Sequence, residues 1–185
     1  ILLHVVEEMR MRLWVYGWIG IALLGCTAAA SADVREAVFG RWADERSILE
    51  VSEHDGYLGA RVIAMNDPVY REGEAYGPVG AARRDDLNPD ESKREQLILG
   101  IELLSEYRFE NDRWQGQIYD AESGNVYSSK LRVSRSGELQ MRGYIGIPMF
   151  GRTAKFQPLG ECADHVKAML ALAKLGSEGC AKPAY

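Results

Sequence analysis

The sequence predicts a mainly β domain followed by one C-terminal amphipathic helix. The strands form an antiparallel meander of eight or nine, closed as an up-and-down barrel or stacked as a sandwich. Three observations predict this. From Val38 to Gln157 apolar residues recur with period two, the mark of strands buried on one face. Turn signatures at Asp55-Gly56, Asn111-Asp112, Ser123-Gly124 and Ser136-Gly137 separate the runs. After Leu159 the period changes, and Val166, Met169, Leu170 and Ala173 fall on one helical face. Strands joined mostly to their sequence neighbours must close or stack to hide their edges.

The elements follow in order. Residues 1–32 stand apart from the fold. Met9-Arg10-Met11-Arg12 is a basic start, Leu13 to Ala30 is apolar and uncharged, and Ala30-Ser31-Ala32 offers small residues before a cleavage point. That is the pattern of a secretory signal peptide. Two alternatives stay open: an uncleaved anchor, since the run is about long enough to span a bilayer, and lipidation at Cys26 in Leu23-Leu24-Gly25-Cys26. Residues 1–8 read as upstream translation, with the start at Met9 or Met11.

The domain proper is expected over residues 33–159. Val38 to Trp42 opens it as a strand, Ser47 to Glu53 follows, and Tyr57 to Met65 returns with Leu58, Ala60, Val62 and Ala64 inward. Asn66 to Glu95, with Pro68, Pro78 and Pro89, reads as a long mobile loop with a helical turn near Asp90 to Glu95. The apolar run Leu97 to Ile101 reads as strand in preference to helix, extended by Leu103 to Glu110. Trp114 to Tyr119, Val126 to Val133, Leu139 to Ile145 and Arg152 to Gln157 complete the meander.

Residues 160–185 form the helical tail. Ala163 to Leu175 is the amphipathic helix, with Gly176 ending it in the C′ role. Its apolar face packs on the barrel, plugs one end, or serves a protein partner. Cys162 and Cys180, an even pair once Cys26 is removed, are expected to be disulfide-bonded in an oxidising compartment. The loop they close has 17 residues between them, worth about 3 kcal/mol in the chain-entropy model.

Composition restricts function. The formal net charge is −5, and the leader removes equal numbers of acids and bases. A mildly acidic domain without a basic stripe argues against nucleic acid. It also lacks the Lys/Arg-rich amphipathic helix that holds proteins on anionic lipid. Membrane association is expected only through the signal peptide or a lipid on Cys26.

No constellation for chemistry stands out. His4, His54 and His165 lack zinc-ligand spacing. Asp86-Leu87-Asn88-Pro89-Asp90 matches the first half of a calcium loop, but Glu91 replaces its glycine and Leu97 its bidentate glutamate. Asp86 and Asn88 then read as residues bonding their own backbone. No nucleophile elbow, phosphate loop or dinucleotide fingerprint is present. Asp120 with Glu122, and Asp85 with Asp86, read as solvated turn acids. No cofactor is expected.

Two resemblances add to this reading. Gly40-Arg41-Trp42 resembles the G-x-W opening of lipocalin-like barrels. An ordered motif set then runs through Asp86-Leu87-Asn88-Pro89, Leu99-Gly100, Trp114-Gln115-Gly116-Gln117-Ile118-Tyr119-Asp120 and Gly124-Asn125-Val126-Tyr127. It continues through Leu139-Gln140-Met141-Arg142-Gly143-Tyr144 and Phe150-Gly151-Arg152-Thr153. This set resembles the bacterial proteins known only as domain-of-unknown-function family 2147, small exported proteins of Gram-negative bacteria. It covers roughly Gly40 to Gln157. The chain departs from the pattern at Ala121, where the family commonly has proline, and at Phe156, where it has tryptophan. The resemblance implies a periplasmic β-rich domain, lipocalin-like in outline, and implies no reaction. Its motif residues here are Trp42, Asp86, Asn88, Pro89, Gly100, Trp114, Gly116, Tyr119, Asp120, Gly124, Tyr127, Arg142 and Gly143.

The expected function is a non-enzymatic periplasmic barrel that binds a small apolar ligand or an envelope protein, with the Asn66–Glu95 loop as lid or contact surface. The alternatives are an envelope enzyme using loop carboxylates, and a structural or stress-related envelope protein with a filled core. An eight-stranded barrel suits both a filled interior and one small ligand cavity.

Overall fold

The computed structural model describes residues 33–160, 162–176 and 180. The predicted leader and Cys26 lie outside the described residues. Eight strands follow the sequence: β1 Gly40–Ala43, β2 Ser47–His54, β3 Tyr57–Met65, β4 Leu104–Glu110, β5 Arg113–Asp120, β6 Asn125–Val133, β7 Leu139–Tyr144 and β8 Arg152–Pro158. They pair antiparallel in the order β3-β2-β1-β8-β7-β6-β5-β4. The first and last strands meet, Trp42 opposite Pro158 and Ala43 opposite Gln157. The sheet therefore curls into a nearly closed barrel rather than a sandwich.

The seam lies between β3 and β4, where no full ladder forms. Val62 N donates to Ile101 O (3.2 Å), Gly100 N to Val62 O (2.8 Å) and Leu103 N to Ala60 O (2.8 Å). Leu97 to Ile101, expected as a strand, is instead a turn leading into this seam. Gly100 sits at φ +95°, outside any strand geometry, and Ile101 N closes a turn to Ile98 O. The run is apolar because Ile98, Leu99 and Ile101 pack on the barrel core, not because it alternates.

Alternation sets the interior. Trp114 faces Leu131 and Leu131 faces Met141 across the ladders, and all three are buried with Leu49, Val51, Tyr107 and Leu139. Hairpin chemistry sets the register: Asp55 with Gly56, and Asn111 with Asp112, take the positive φ angles of tight turns.

One end of the barrel is sealed by the chain before β1. Val38 is buried, and Trp42 Nε1 donates to its carbonyl (2.8 Å). Trp114 Nε1 donates to Arg35 O (3.0 Å), and the Arg35 guanidinium lies 5.2 Å from the Trp114 ring. Phe109 stacks edge-on to the same ring at 5.4 Å. Val38 serves this seal rather than a strand, so β1 starts at Gly40.

Helix α1 runs Asp164–Leu172, shorter than predicted. Val166, Met169 and Leu170 bury against Ala43, Ile48 and Ala64. Ala43 and Ile48 are cross-strand partners next to inward Trp42 and Leu49. The helix thus covers the outer face of the sheet instead of plugging an end. Its stop is not Gly176. Lys174 takes the left-handed C′ position at φ +58°, with Lys174 N bonding Ala171 O and Leu175 N bonding Leu170 O. This is a Schellman cap, selected because it returns Leu175 to the apolar cluster of Leu170. Cys162 and Cys180 are joined, with Cα atoms 5.9 Å apart.

Candidate functional site

The long connection from β3 to β4 covers the other end of the barrel, and its parts are tied together. Tyr70 is its hub. The Tyr70 ring is buried, and a Cβ on Gly77 would meet it at 2.1 Å. The Tyr70 hydroxyl donates to Asp86 (2.5 Å) and accepts from Arg84 N (2.9 Å). Burial, then the Asp86 bond, raises its pKa. Arg83 lies 5.6 Å over the same ring and bonds Asp67 and Glu74. Burial opposes ionisation of Asp67, yet the bonds from Arg71 and Arg83 hold its pKa below the usual range.

The loop is latched to the barrel through Asp85, which is 0% exposed. Tyr119, on β5, donates to one carboxylate oxygen (2.6 Å) and Asn88 Nδ2 to the other (2.6 Å). Asp85 N donates to Gln96 O (2.9 Å). Burial, then the Asp85 bond, lifts the Tyr119 phenol well above its ordinary range, so it stays a donor. The β5–β6 hairpin completes the latch. Gly124 sits at φ +68°, and a Cβ there would meet Leu87 O at 2.0 Å. Only glycine lets the two backbones touch.

Beneath the latch, one layer of the interior is made of small residues. Gly116 pairs with Ser129 and Ser129 with Gly143, on the inward face that Trp114, Leu131 and Met141 continue. A bulge in β4 fills this layer. Its register shifts between Ser105 and Arg108, Glu106 takes φ +56°, and Tyr107 is pushed onto Gly116, whose Cβ would meet the ring at 2.4 Å. Tyr107 is 1% exposed and its phenol, buried, is held well above its ordinary range, the nearby Ser129 hydroxyl offsetting part of this. The two hydroxyls are neighbours, yet neither Tyr107 OH nor Ser129 Oγ makes a hydrogen bond of acceptable geometry. Each is a buried polar atom without a partner, an arrangement that folding disfavours.

The residues singled out from sequence divide into three groups. Asp86, Asn88, Tyr119 and Gly124 meet in the latch, with Pro89 next to Asn88. Trp42, Trp114, Gly116 and Gly143 shape the interior, and Gly100 turns the chain at the seam. Asp120, Tyr127 and Arg142 hold local turns. Asp120 accepts from Glu122 N (3.0 Å) and Ser123 Oγ (2.7 Å). Ser123 Oγ lies 3.5 Å from Tyr127 OH, and Arg142 binds the β7–β8 connection through Pro148 O (2.9 Å) and Met149 O (3.1 Å).

Glu122 pairs with Arg46 (2.8 Å), both exposed, while the Asp120 carboxylate is taken up by its own turn. Asn88 turns its amide nitrogen to Asp85 and its oxygen to Asp90 N (2.9 Å), an arrangement of a structural loop rather than a calcium shell. Among the described residues no group of three His, Cys, Asp or Glu converges as a metal site requires. Sequence reasoning passed over Tyr70 and Tyr107 and read Asp85 as a solvated turn acid, whereas it is fully buried. The run Arg83-Arg84-Asp85-Asp86 looks uniformly solvated, and only the bonds to Tyr119 on β5 and to Asn88 and Gln96 in the loop single out Asp85.

Comparison with known proteins agrees with this architecture. Residues 40–157 match DUF2147, described as uncharacterized proteins conserved in bacteria. A solved structure of protein HP1028 from the human pathogen Helicobacter pylori, described as belonging to the lipocalin family, superposes with a TM-score of 0.51. The match has 19% identity and covers 79% of this chain and 88% of that one. At that identity it shows the fold. No curated protein matches the chain.

Proposed function

Because the chain belongs to DUF2147, a family of uncharacterized bacterial proteins, and folds as a lipocalin-like barrel, we propose from its interior that it is a non-enzymatic module binding a small, mainly apolar ligand that carries one polar group. The observation that carries this reading is the unpartnered pair Tyr107 OH and Ser129 Oγ in the layer of Gly116 and Gly143. Packing alone would be served as well by Phe and Ala, without the cost of two orphan hydroxyls. The hydroxyls suit a state in which a ligand supplies their hydrogen bonds and its apolar body displaces the Tyr107 ring. The ligand enters at the latched end, where hydrogen bonds can be exchanged for water.

Residence in the bacterial periplasm is part of the proposal. The basic-apolar leader and the Cys162–Cys180 pair support it. Labelling of native protein by a thiol reagent at either cysteine would count against it.

Native mass spectrometry of the protein purified from its own cells tests the reading. It is expected to find a bound small molecule that is released on denaturation. A clean apo mass, together with a crystal structure showing an ordered water bridging Tyr107 and Ser129, would replace the ligand by a structural water.

A further inference from the structure

The outer face of β6–β8 carries a second feature, independent of the interior. Between Asn125 and Pro158 the chain has six basic side chains, Lys130, Arg132, Arg135, Arg142, Arg152 and Lys155, and one acid, Glu138. The rest of the chain is correspondingly more acidic than its net −5. Alternation scatters these bases along the sequence, but the register gathers Lys130, Arg132, Arg142 and Lys155 on the outer face, whereas Arg152 pairs with inward Gly143 at the barrel end and Arg135 lies in the β6–β7 turn. Arg108 faces Gln115, Gln115 faces Lys130, Lys130 faces Arg142, and Arg142 faces Thr153 in one cross-strand row. Arg132, Gln140 and Lys155 form the next row. All stand opposite the buried face.

The β7–β8 connection projects from the same face and is apolar at its surface. Ile145, Met149 and Phe150 are 77%, 77% and 78% exposed, and Ile147 is 53% exposed. The loop is held in that display. Arg142 bonds its carbonyls at Pro148 and Met149, and donates to Thr153 Oγ1 (2.9 Å). A 3-10 turn over Pro148–Phe150 follows, closed by Gly151 N to Pro148 O (3.1 Å). Gly151 presses on β7, where a Cβ would meet Gly143 O at 2.5 Å. The backbone is pinned to the sheet, so the side chains cannot fold back to hide.

We propose that this face docks on an anionic lipid surface, with Met149 and Phe150 inserted among the acyl chains and Lys130, Arg132 and Lys155 on the headgroups. A polyanion such as nucleic acid would use the bases and leave the apolar tip unused. An apolar groove on another protein would use the tip and gain nothing from the bases. A membrane with negative headgroups uses both. The device differs from the amphipathic helix that such binding usually needs, since a rigid loop supplies the apolar part and a sheet the charge.

Sedimentation with vesicles of phosphatidylcholine alone, and of phosphatidylcholine with a quarter of phosphatidylglycerol, is the test. Variants are compared in the same full-length chain, so the Leu13–Ala30 run contributes equally to each. The expected result is tighter binding to the anionic vesicles, lowered by about tenfold in Met149→Ser/Phe150→Ser and by about fivefold for each base removed in Lys130→Gln and Arg132→Gln. Phe150→Trp should show blue-shifted fluorescence on those vesicles. Vesicle binding unchanged in all of these variants, with no shift at Phe150→Trp, overturns the proposal. So does binding to a DNA duplex that depends on Lys130 and Arg132 while vesicle binding ignores Met149 and Phe150.

Discussion

The two ends of the barrel are closed by different physics. At one end Val38, Trp42, Trp114 and Phe109 form an aromatic and aliphatic seal, with Arg35 stacked above it. At the other, the connection from Asn66 to Leu103 is held down by hydrogen bonds through Asp85, Tyr119, Asn88 and the Gly124–Leu87 contact. Apolar contacts stay closed because water offers them nothing. Hydrogen bonds lose little when water replaces the partner, so a polar latch opens at lower cost than an aromatic seal. The difference makes the first end the more permanent closure and the second the one that the proposed ligand would open.

The sharpest way to break the contrast is to open each end in turn. Trp114→Ala should cost about 3–5 kcal/mol of global stability in urea denaturation, as expected for a buried tryptophan. A loss below about 1 kcal/mol would mean that the sealed end is not where stability resides. Gly124→Ala combines a left-handed φ with a backbone clash on Leu87, and should cost about 2–3 kcal/mol. Its signature is local: faster amide exchange at Asp85 and Asn88, with Trp42 unaffected. Equal acceleration at both ends would dissolve the distinction.

Alkaline pH probes the phenols. Tyr119 and Tyr107 hold their protons more tightly in the folded chain than in the unfolded one. Their contribution is therefore complete below the ordinary tyrosine value of 10.0 and lost as pH rises above it. The melting temperature should fall above pH about 10, and less steeply in Tyr119→Phe, whose latch no longer titrates. A profile flat to pH about 12 in the native chain would contradict burial of these groups. The smallest effect is expected away from both ends: Lys174→Gly relieves the left-handed C′ residue and should raise stability by about 0.5–1 kcal/mol in the same denaturation assay.

How much of this was legible in the sequence follows from range. The strands of β2, β3 and β5–β8 could be read because period two and Asp-Gly or Ser-Gly turns are local signals. The barrel was readable as one way to hide edges, but closure between β1 and β8 rests on the Trp42–Pro158 pairing, which no local pattern encodes. Leu97 to Ile101 misled because apolar residues facing several neighbours resemble a buried strand. The long loop, expected as mobile, is knitted around Tyr70 and Asp85, some of whose partners lie 14 to 34 residues away. Asp85 looked like one more solvated acid, since its burial is made by Tyr119. The basic face was hidden in the same way, because register and not sequence brings Arg108, Lys130 and Arg142 into one row.

The central claim is that a small ligand enters at the latched end and meets Tyr107 and Ser129. An NMR titration of the labelled chain with N-phenyl-1-naphthylamine, an apolar probe bearing one N–H donor, tests it most directly. The account predicts shifts centred on Gly116, Ser129 and Gly143 and extending to Asp85 and Tyr119. Val38 and Trp42 should stay still, and affinity should fall in Ser129→Ala and Tyr107→Phe. Shifts confined to the outer loop from Ile145 to Phe150, or centred on the sealed end, would contradict it.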